Sequence, residues 1–189
     1  NIGAGIDSRF VIKHERYPTS SYLSIIDESG EMVGAISDMD IISTITPSYL
    51  ESIKKIVMIA EVICIDTNLS EDSIEYIFNT FGDIPIFVDP VSAKKVKKIA
   101  PFISKINTFK PNINEAEELS GIKIKSKRDL IRVSDWFHEK GLSQLFISLG
   151  SKGLFYSNIN ESGSEAPRIN KNRVKNVSGA GDTVMASLI

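Results

Sequence analysis

Cysteine, histidine and tryptophan are almost missing from this sequence, with one Cys, two His and one Trp among 189 residues. A single cysteine permits no internal disulfide, which fits a chain expected in a reducing cytoplasm. His14 and His138 have no second His or Cys at ligand spacing, so no zinc-type centre organises the molecule. A basic excess is lacking too. The 22 Lys and Arg stand against 24 Asp and Glu, a net charge of -2, and neither nucleic acid nor an anionic membrane is an expected partner. No apolar run is long enough to span a bilayer, and no charged segment with an apolar stretch and a small-residue cleavage site opens the chain. Nor is there a Gly-x-x-x-x-Gly-Lys followed by Ser or Thr, which excludes a Walker-type phosphate loop.

What is present is a chain 42% hydrophobic and 24% charged, enough to bury one sizeable core as a single domain over residues 1–189. The chain opens at Asn1 without Met and stops at Ile189 inside an apolar helical pattern, so an internal piece of a longer protein, lacking both termini, is expected. From about residue 9 to 37 the pattern is strand-like. "YLSII" and "MVGAI" flank a turn cluster at Asp27 to Gly30, an antiparallel hairpin expected to form a lid or small appended sheet.

From about residue 46 to 189 helices and strands alternate. Thr46-Pro47 starts a helix carrying Leu50, Ile53 and Val57, and "VICID" is a strand in which Cys64 is expected to be a buried thiol. Ser70 caps a helix with Ile74, Ile77, Phe78 and Phe81; "IPIFVD" and "NTF" are strands. Ser126 and Asp129 open a helix whose stripe is Leu130, Val133 and Phe137, with Trp136 packing beside it, and "QLFISLG" and "GLFYS" follow as strands. Such an α/β alternation implies a mainly parallel sheet with helices on both faces and ligands beyond the carboxyl ends of its strands. The Lys94, Lys95, Lys97, Lys98 cluster and "RINKNRVK" near residue 168 are expected to be solvated faces.

Three stretches could carry chemistry. In "SGAGD" the glycines permit positive φ and a close approach to a ligand, and the helix that follows offers free N–H groups to an anion. Asp182 then stands in its first turn, as a proton acceptor or simply as a cap. In "KPNINEAEE", Asn112 and Glu115 have the spacing of a capping box; Glu115 ordering water around Mg²⁺ while Asn112 reaches a phosphate is the alternative. In "ISLGSKG", Ser148, Gly150 and Gly153 end a strand, either turning the chain or making room for a nucleotide.

These three motifs in this order resemble the ribokinase-like (PfkB) family of carbohydrate and nucleoside kinases. Within it, "TSSYLSIIDESGEMVGAISDMDI", "FVDPVSAKK", "KPNINEAEELSGI", "WFHEKGL" and "NVSGAGD" resemble a nucleoside kinase most closely. The resemblance implies a three-layer α/β fold with a small β lid, and transfer of the ATP γ-phosphoryl group to a hydroxyl of a small-molecule nucleoside or sugar. It implies Asp182 as catalytic base and Gly179, Ala180 and Gly181 as an anion hole. Asn112 and Glu115 would serve phosphate and Mg²⁺, and Ser148, Gly150 and Gly153 would line the ATP site. Asn176, Val177 and Ser178 stand where many members have Asp-Thr-Thr, so K⁺ dependence is left open. The polar Thr19, Ser21 and Asp38 at the hairpin's edges are candidates for acceptor contacts, or ordinary turn residues. The first Gly-Ala-Gly, Gly3 to Gly5, leads into the hairpin with Gly5 as a helix C-cap, and unpaired lid strands suggest a homodimer. Two alternatives stay open: a kinase of this fold for ribose, fructose or adenosine, and a nucleotide-binding sensor without turnover.

Overall fold

The structure, a computed structural model, describes residues 5–27, 32–167 and 179–189. Two sheets organise it. The first is the expected hairpin, β1 (Ser21–Ile26) antiparallel to β2 (Met32–Asp38). Its strands are shorter than the strand-like pattern suggested, because residues 9–20 form no strand.

The second sheet has six strands in sequence order: β3 (Ile63–Asp66), β4 (Ile86–Asp89), β5 (Thr108–Phe109), β6 (Gln144–Ser148), β7 (Leu154–Asn158) and β8 (Ser162–Glu165). β3 to β6 pair in parallel, each reached through a helical connection, while β7 and β8 turn back antiparallel. The sheet is therefore mixed, with the antiparallel part where the chain has only tight turns available.

Local sequence explains the flanking helices. Thr46 accepts from the Tyr49 N–H, Pro47 occupies the first turn of α1 (Pro47–Ser52), and α2 (Lys54–Val57) follows after a break at Ile53. Ser70 caps α3 (Glu71–Thr80), whose Ile74, Ile77 and Phe78 are buried at helical spacing. Asn112 caps α4 (Ile113–Ser120), and Ser126 caps α5 (Lys127–Glu139), which buries Leu130, Val133 and Phe137. Phe78 stacks on Phe102 at 4.9 Å between centroids, and Phe109 lies 5.4 Å from Phe137, joining helices to sheet in one core. The last helix, α6 (Ala180–Leu188), buries Met185.

Two expectations are corrected. Cys64 is exposed: β3 is the outer strand of its sheet, and the face carrying Cys64 opens on an apolar cavity. Partial burial first, then the negative charges of Asp89 and Asp66, push its thiol pKa up, so it is a poor nucleophile. The lysine cluster is not merely solvated. It opens a 3₁₀ segment at Val96–Lys105 with Pro101 inside it, and Lys98 Nζ donates to the carbonyls of Thr67 (3.1 Å) and Leu69 (2.7 Å). Lys95 Nζ reaches Asn68 Oδ1 at 2.6 Å, and Lys97 pairs with Glu118 at 2.6 Å. Lys98 thus supplies donors to two backbone carbonyls of the loop after β3 that no strand partner takes up. The basic stretch 168–175, with Asn176 to Ser178, lies outside the described residues, as do Gly3 and Ala4; Gly5 itself has φ 73°.

Candidate active site

In a parallel sheet the carboxyl ends of neighbouring strands lie at one edge, and here that edge carries the polar residues. β3 ends in Asp66 and β4 in Asp89, which are register partners. Lys110 follows β5 directly, its N–H bonded to the Val88 carbonyl. At the end of β6, Ser148 donates its N–H to the Pro111 carbonyl at 2.9 Å and bridges to Asn112, tying that strand to the start of α4.

These residues line a cleft of about 490 Å³ together with Glu115, Val91, Tyr22 from the lid, and Gly179, Gly181 and Asp182 from α6. A second cavity of about 590 Å³, mostly apolar, adjoins it and shares Asp66, Asp89 and Asp182. Asp182 thus stands between an apolar cavity and a polar one.

The start of α6 has the geometry its glycines suggested. Gly179, at the N-cap, has φ 77°, a left-handed conformation that costs a Cβ-bearing residue about 1 kcal/mol or more. Its carbonyl accepts from both the N–H and the hydroxyl of Thr183 at 2.9 Å. With no side-chain cap on Gly179, the first N–H groups of α6 are presented to the cleft edge next to Asp182.

Asn112 and Glu115 form the capping box. Glu115 donates its N–H to Asn112 Oδ1 at 2.9 Å, and Asn112 donates its N–H to Glu115 Oε2 at 2.7 Å. Glu115 is nevertheless buried and faces the cleft. Burial raises its pKa, and the nearby Asp89 charge adds to this; the Asn112 N–H and Lys110 oppose it. The sign follows: a carboxyl whose pKa is raised by folding contributes most to stability below its unfolded pKa, and that contribution is lost as pH rises through the folded value. Glu115→Gln keeps an oxygen for the Asn112 N–H and carries no charge. The variant is expected to melt higher than the native protein at about pH 8, with the gap narrowing toward about pH 4. Calorimetric melting at both pH values checks this; a gap independent of pH contradicts it.

Lys110, Asp89, Asp66 and Tyr22 were not among the residues singled out from sequence. The signal was there for three of them, since each sits at or just beyond the carboxyl end of a strand. Lys110 Nζ pairs with Asp89 Oδ2 at 2.9 Å, with its side chain only 5% exposed. Val91 has φ 61°, unusual for a β-branched residue, and Ser92 N–H bonds back to the Pro90 carbonyl at 2.6 Å, a tight three-residue turn at the cleft wall. Of the other candidates, Gly150 (φ 59°) and Gly153 (φ 102°) form the turn between β6 and β7. Ser21 and Asp38 face each other at the base of the hairpin, and neither they nor Thr19 line the cleft.

Among the described residues there is no cluster of three or more His, Cys, Asp or Glu able to hold a metal alone. Asp89 and Glu115 instead offer carboxylate oxygens to the cleft. That donor set suits Mg²⁺, which commonly takes one or two carboxylates and completes its shell with water and phosphate oxygens. No helix among the described residues is long and apolar enough to cross a membrane.

Comparison with known proteins agrees with this architecture. Residues 2–189 match the pfkB family carbohydrate kinase profile. The chain is 44% identical over 187 residues to pseudouridine kinase of Escherichia coli (strain K12), covering 98% of this chain and 58% of that protein. It thus spans little more than half the length of that relative. Solved structures share the fold: ribokinase from Thermotoga maritima (TM-score 0.73, 17% identity, 87% of this chain and 53% of that one). Adenosine kinase from Schistosoma mansoni in complex with 2-fluoroadenosine is another (TM-score 0.72, 15% identity, 92% and 56%). The chain belongs to the pfkB family of carbohydrate kinases.

Proposed function

We propose that the full-length protein is an ATP-dependent kinase that transfers the γ-phosphoryl group to the 5′-hydroxyl of pseudouridine. The observation that carries this is the convergence of Asp182, the open N-terminus of α6 and Lys110 on one cleft at the carboxyl edge of the sheet. Asp182 would accept the proton of the attacking hydroxyl. The N–H groups of Gly179, Ala180 and Gly181 would hold the transferring group's oxygens, where charge must be stabilised. Mg²⁺, when bound through Glu115 and Asp89, would neutralise phosphate charge. Asn112 would orient phosphate, and Ser148, with the turn at Gly150 and Gly153, would flank the nucleotide.

Acceptor choice is assigned to the lid. Tyr22 is its one described side chain lining the cleft, and we give it the role first considered for Thr19, Ser21 and Asp38. An aromatic ring at that place favours an acceptor with a planar base over a bare sugar. The 44% identity to a pseudouridine kinase supports the same choice. The test compares kcat/KM for pseudouridine, uridine, adenosine, ribose and fructose with Mg·ATP. A preference of about tenfold or more for pseudouridine is expected; equal or better use of ribose or fructose would discard the substrate.

The other face of the lid supports a homodimer. Leu23 is 64% and Ile36 66% exposed, and the two are cross-strand partners on the face opposite Tyr22. A two-stranded sheet with open edges and an apolar face needs cover. Sedimentation at about micromolar concentration is expected to give a dimer for the native protein and a monomer for Leu23→Asp/Ile36→Asp; a monomeric native protein would refute the pairing.

A further inference from the structure

Among the described residues lining the cleft, Lys110 is the only cation, against the four carboxyl groups of Asp66, Asp89, Glu115 and Asp182. Such a site repels a polyanion unless cations balance it, and among the described residues Lys110 is the positive charge that lines it. Its position is also unusual. The ammonium lies 3.3 Å from where a Cβ on Gly181 would stand, so it sits beside the first turn of α6. A cation belongs at a helix C-terminus; at the N-terminus it faces the positive end of the dipole. Two positive ends brought together in a nearly buried place lower their energy by sharing an anion.

We propose that Lys110 is a catalytic residue of the transfer, its ammonium held by Asp89 and donating to a non-bridging oxygen of the moving phosphoryl group. An ammonium has three donors, so it can keep Asp89 and bind the phosphoryl oxygen together. In the step itself the acceptor oxygen forms a bond to Pγ. The bond from Pγ to the bridging oxygen breaks with its electron pair going to ADP, and the hydroxyl proton passes to Asp182. Lys110 neither gains nor loses a proton; it stabilises charge that shifts during transfer. A Cβ at Gly181 would stand close enough to the ammonium that the lysine tip would have to shift by a few tenths of an ångström.

The proposal rests on the kinase reading, and its test separates the two. In the full-length protein, dissociation constants for ATP and for ADP are measured by calorimetry with Mg²⁺, beside kcat and KM, for the native protein, Lys110→Met and Lys110→Arg. Lys110→Met is expected to lose about 10²-fold or more in kcat, with acceptor KM changed less than about threefold. It is also expected to lose about tenfold in ATP affinity while ADP, which lacks the γ group, binds as before. Lys110→Arg keeps the charge and the pair with Asp89, so it keeps the native preference for ATP over ADP even where Lys110→Met folds poorly. Equal weakening of ATP and ADP, native kcat in Lys110→Met, or loss of the ATP preference in a folded Lys110→Arg would overturn the role of Lys110. A native protein that turns over no acceptor would overturn the kinase reading instead, and the ATP/ADP comparison would still decide whether Lys110 meets the γ-phosphoryl group.

Discussion

Asp182→Asn is expected to lower kcat by about 10³-fold while ATP affinity changes by less than about threefold. The substitution keeps the size of the side chain and its place in the first turn of α6, and removes only the ability to take up a proton. A hydroxyl attacking phosphorus must lose its proton, and among the described residues of α6 Asp182 is the acid in the first turn, lining both cavities. Binding is expected to survive because the N–H groups of α6 are backbone and do not depend on the carboxylate. Steady-state turnover paired with calorimetric titration of ATP separates these effects. Turnover within about threefold of native would remove Asp182 from the mechanism, and parallel loss of ATP affinity would mean the helix start had been disturbed.

The second large effect is on stability. Gly153→Ala is expected to destabilise the protein by about 3 kcal/mol, a fall in melting temperature on the order of 6–12 °C. Gly153 has φ 102°, and a Cβ there would stand 1.9 Å from the carbonyl oxygen of Glu165 on the neighbouring strand. Backbone conformation and contact both exclude a side chain. Gly150 provides the control: it has φ 59°, but a Cβ on it would meet nothing within 4 Å. Gly150→Ala should therefore cost only the left-handed strain, about 1 kcal/mol. Similar melting temperatures for the two variants would contradict this. The comparison also separates two reasons for a glycine that look alike in "LGSKG", close packing of β7 against β8 and simple turn geometry.

Much of the fold could be read from residue patterns because local signals agreed with one another. Ser70 with Ile74, Ile77 and Phe78 reads as a capped amphipathic helix, and it is one. The hairpin was legible from its turn cluster, though its length was not: residues 9–20 have β-branched and aromatic side chains but no partner strand among the described residues. Cys64 misled for a related reason. A β-branched run implies burial only when both faces are covered, and β3 is the outer strand. The 3₁₀ segment at Val96–Lys105 was hidden by Pro101 and by the charges before it, which mask the buried Val96, Ile99 and Ile103.

The candidate site was legible in part. Asn112 and Glu115 could be read both as a cap and as functional groups, and the geometry makes them a cap that also faces the cleft. The place of Lys110 just beyond a strand was legible, but its role was not, because what distinguishes it is the meeting of the strand ends with the start of α6, more than 60 residues further along the chain. Long-range convergence of this kind leaves no local periodicity. Tyr22 is similar, since strand alternation tells which residues share a face but not which face meets the cleft.

The central claim is that the cleft around Asp182 moves a phosphoryl group to a nucleoside hydroxyl. The most direct measurement gives the full-length protein ATP labelled in the γ-phosphoryl group, with Mg²⁺ and pseudouridine, and locates the label in the products. The account predicts that the label appears in pseudouridine 5′-phosphate, one equivalent for each ADP formed, and that Asp182→Asn slows its appearance by about 10³-fold. Label recovered only as inorganic phosphate, or retained in ATP with every acceptor tried, would contradict it.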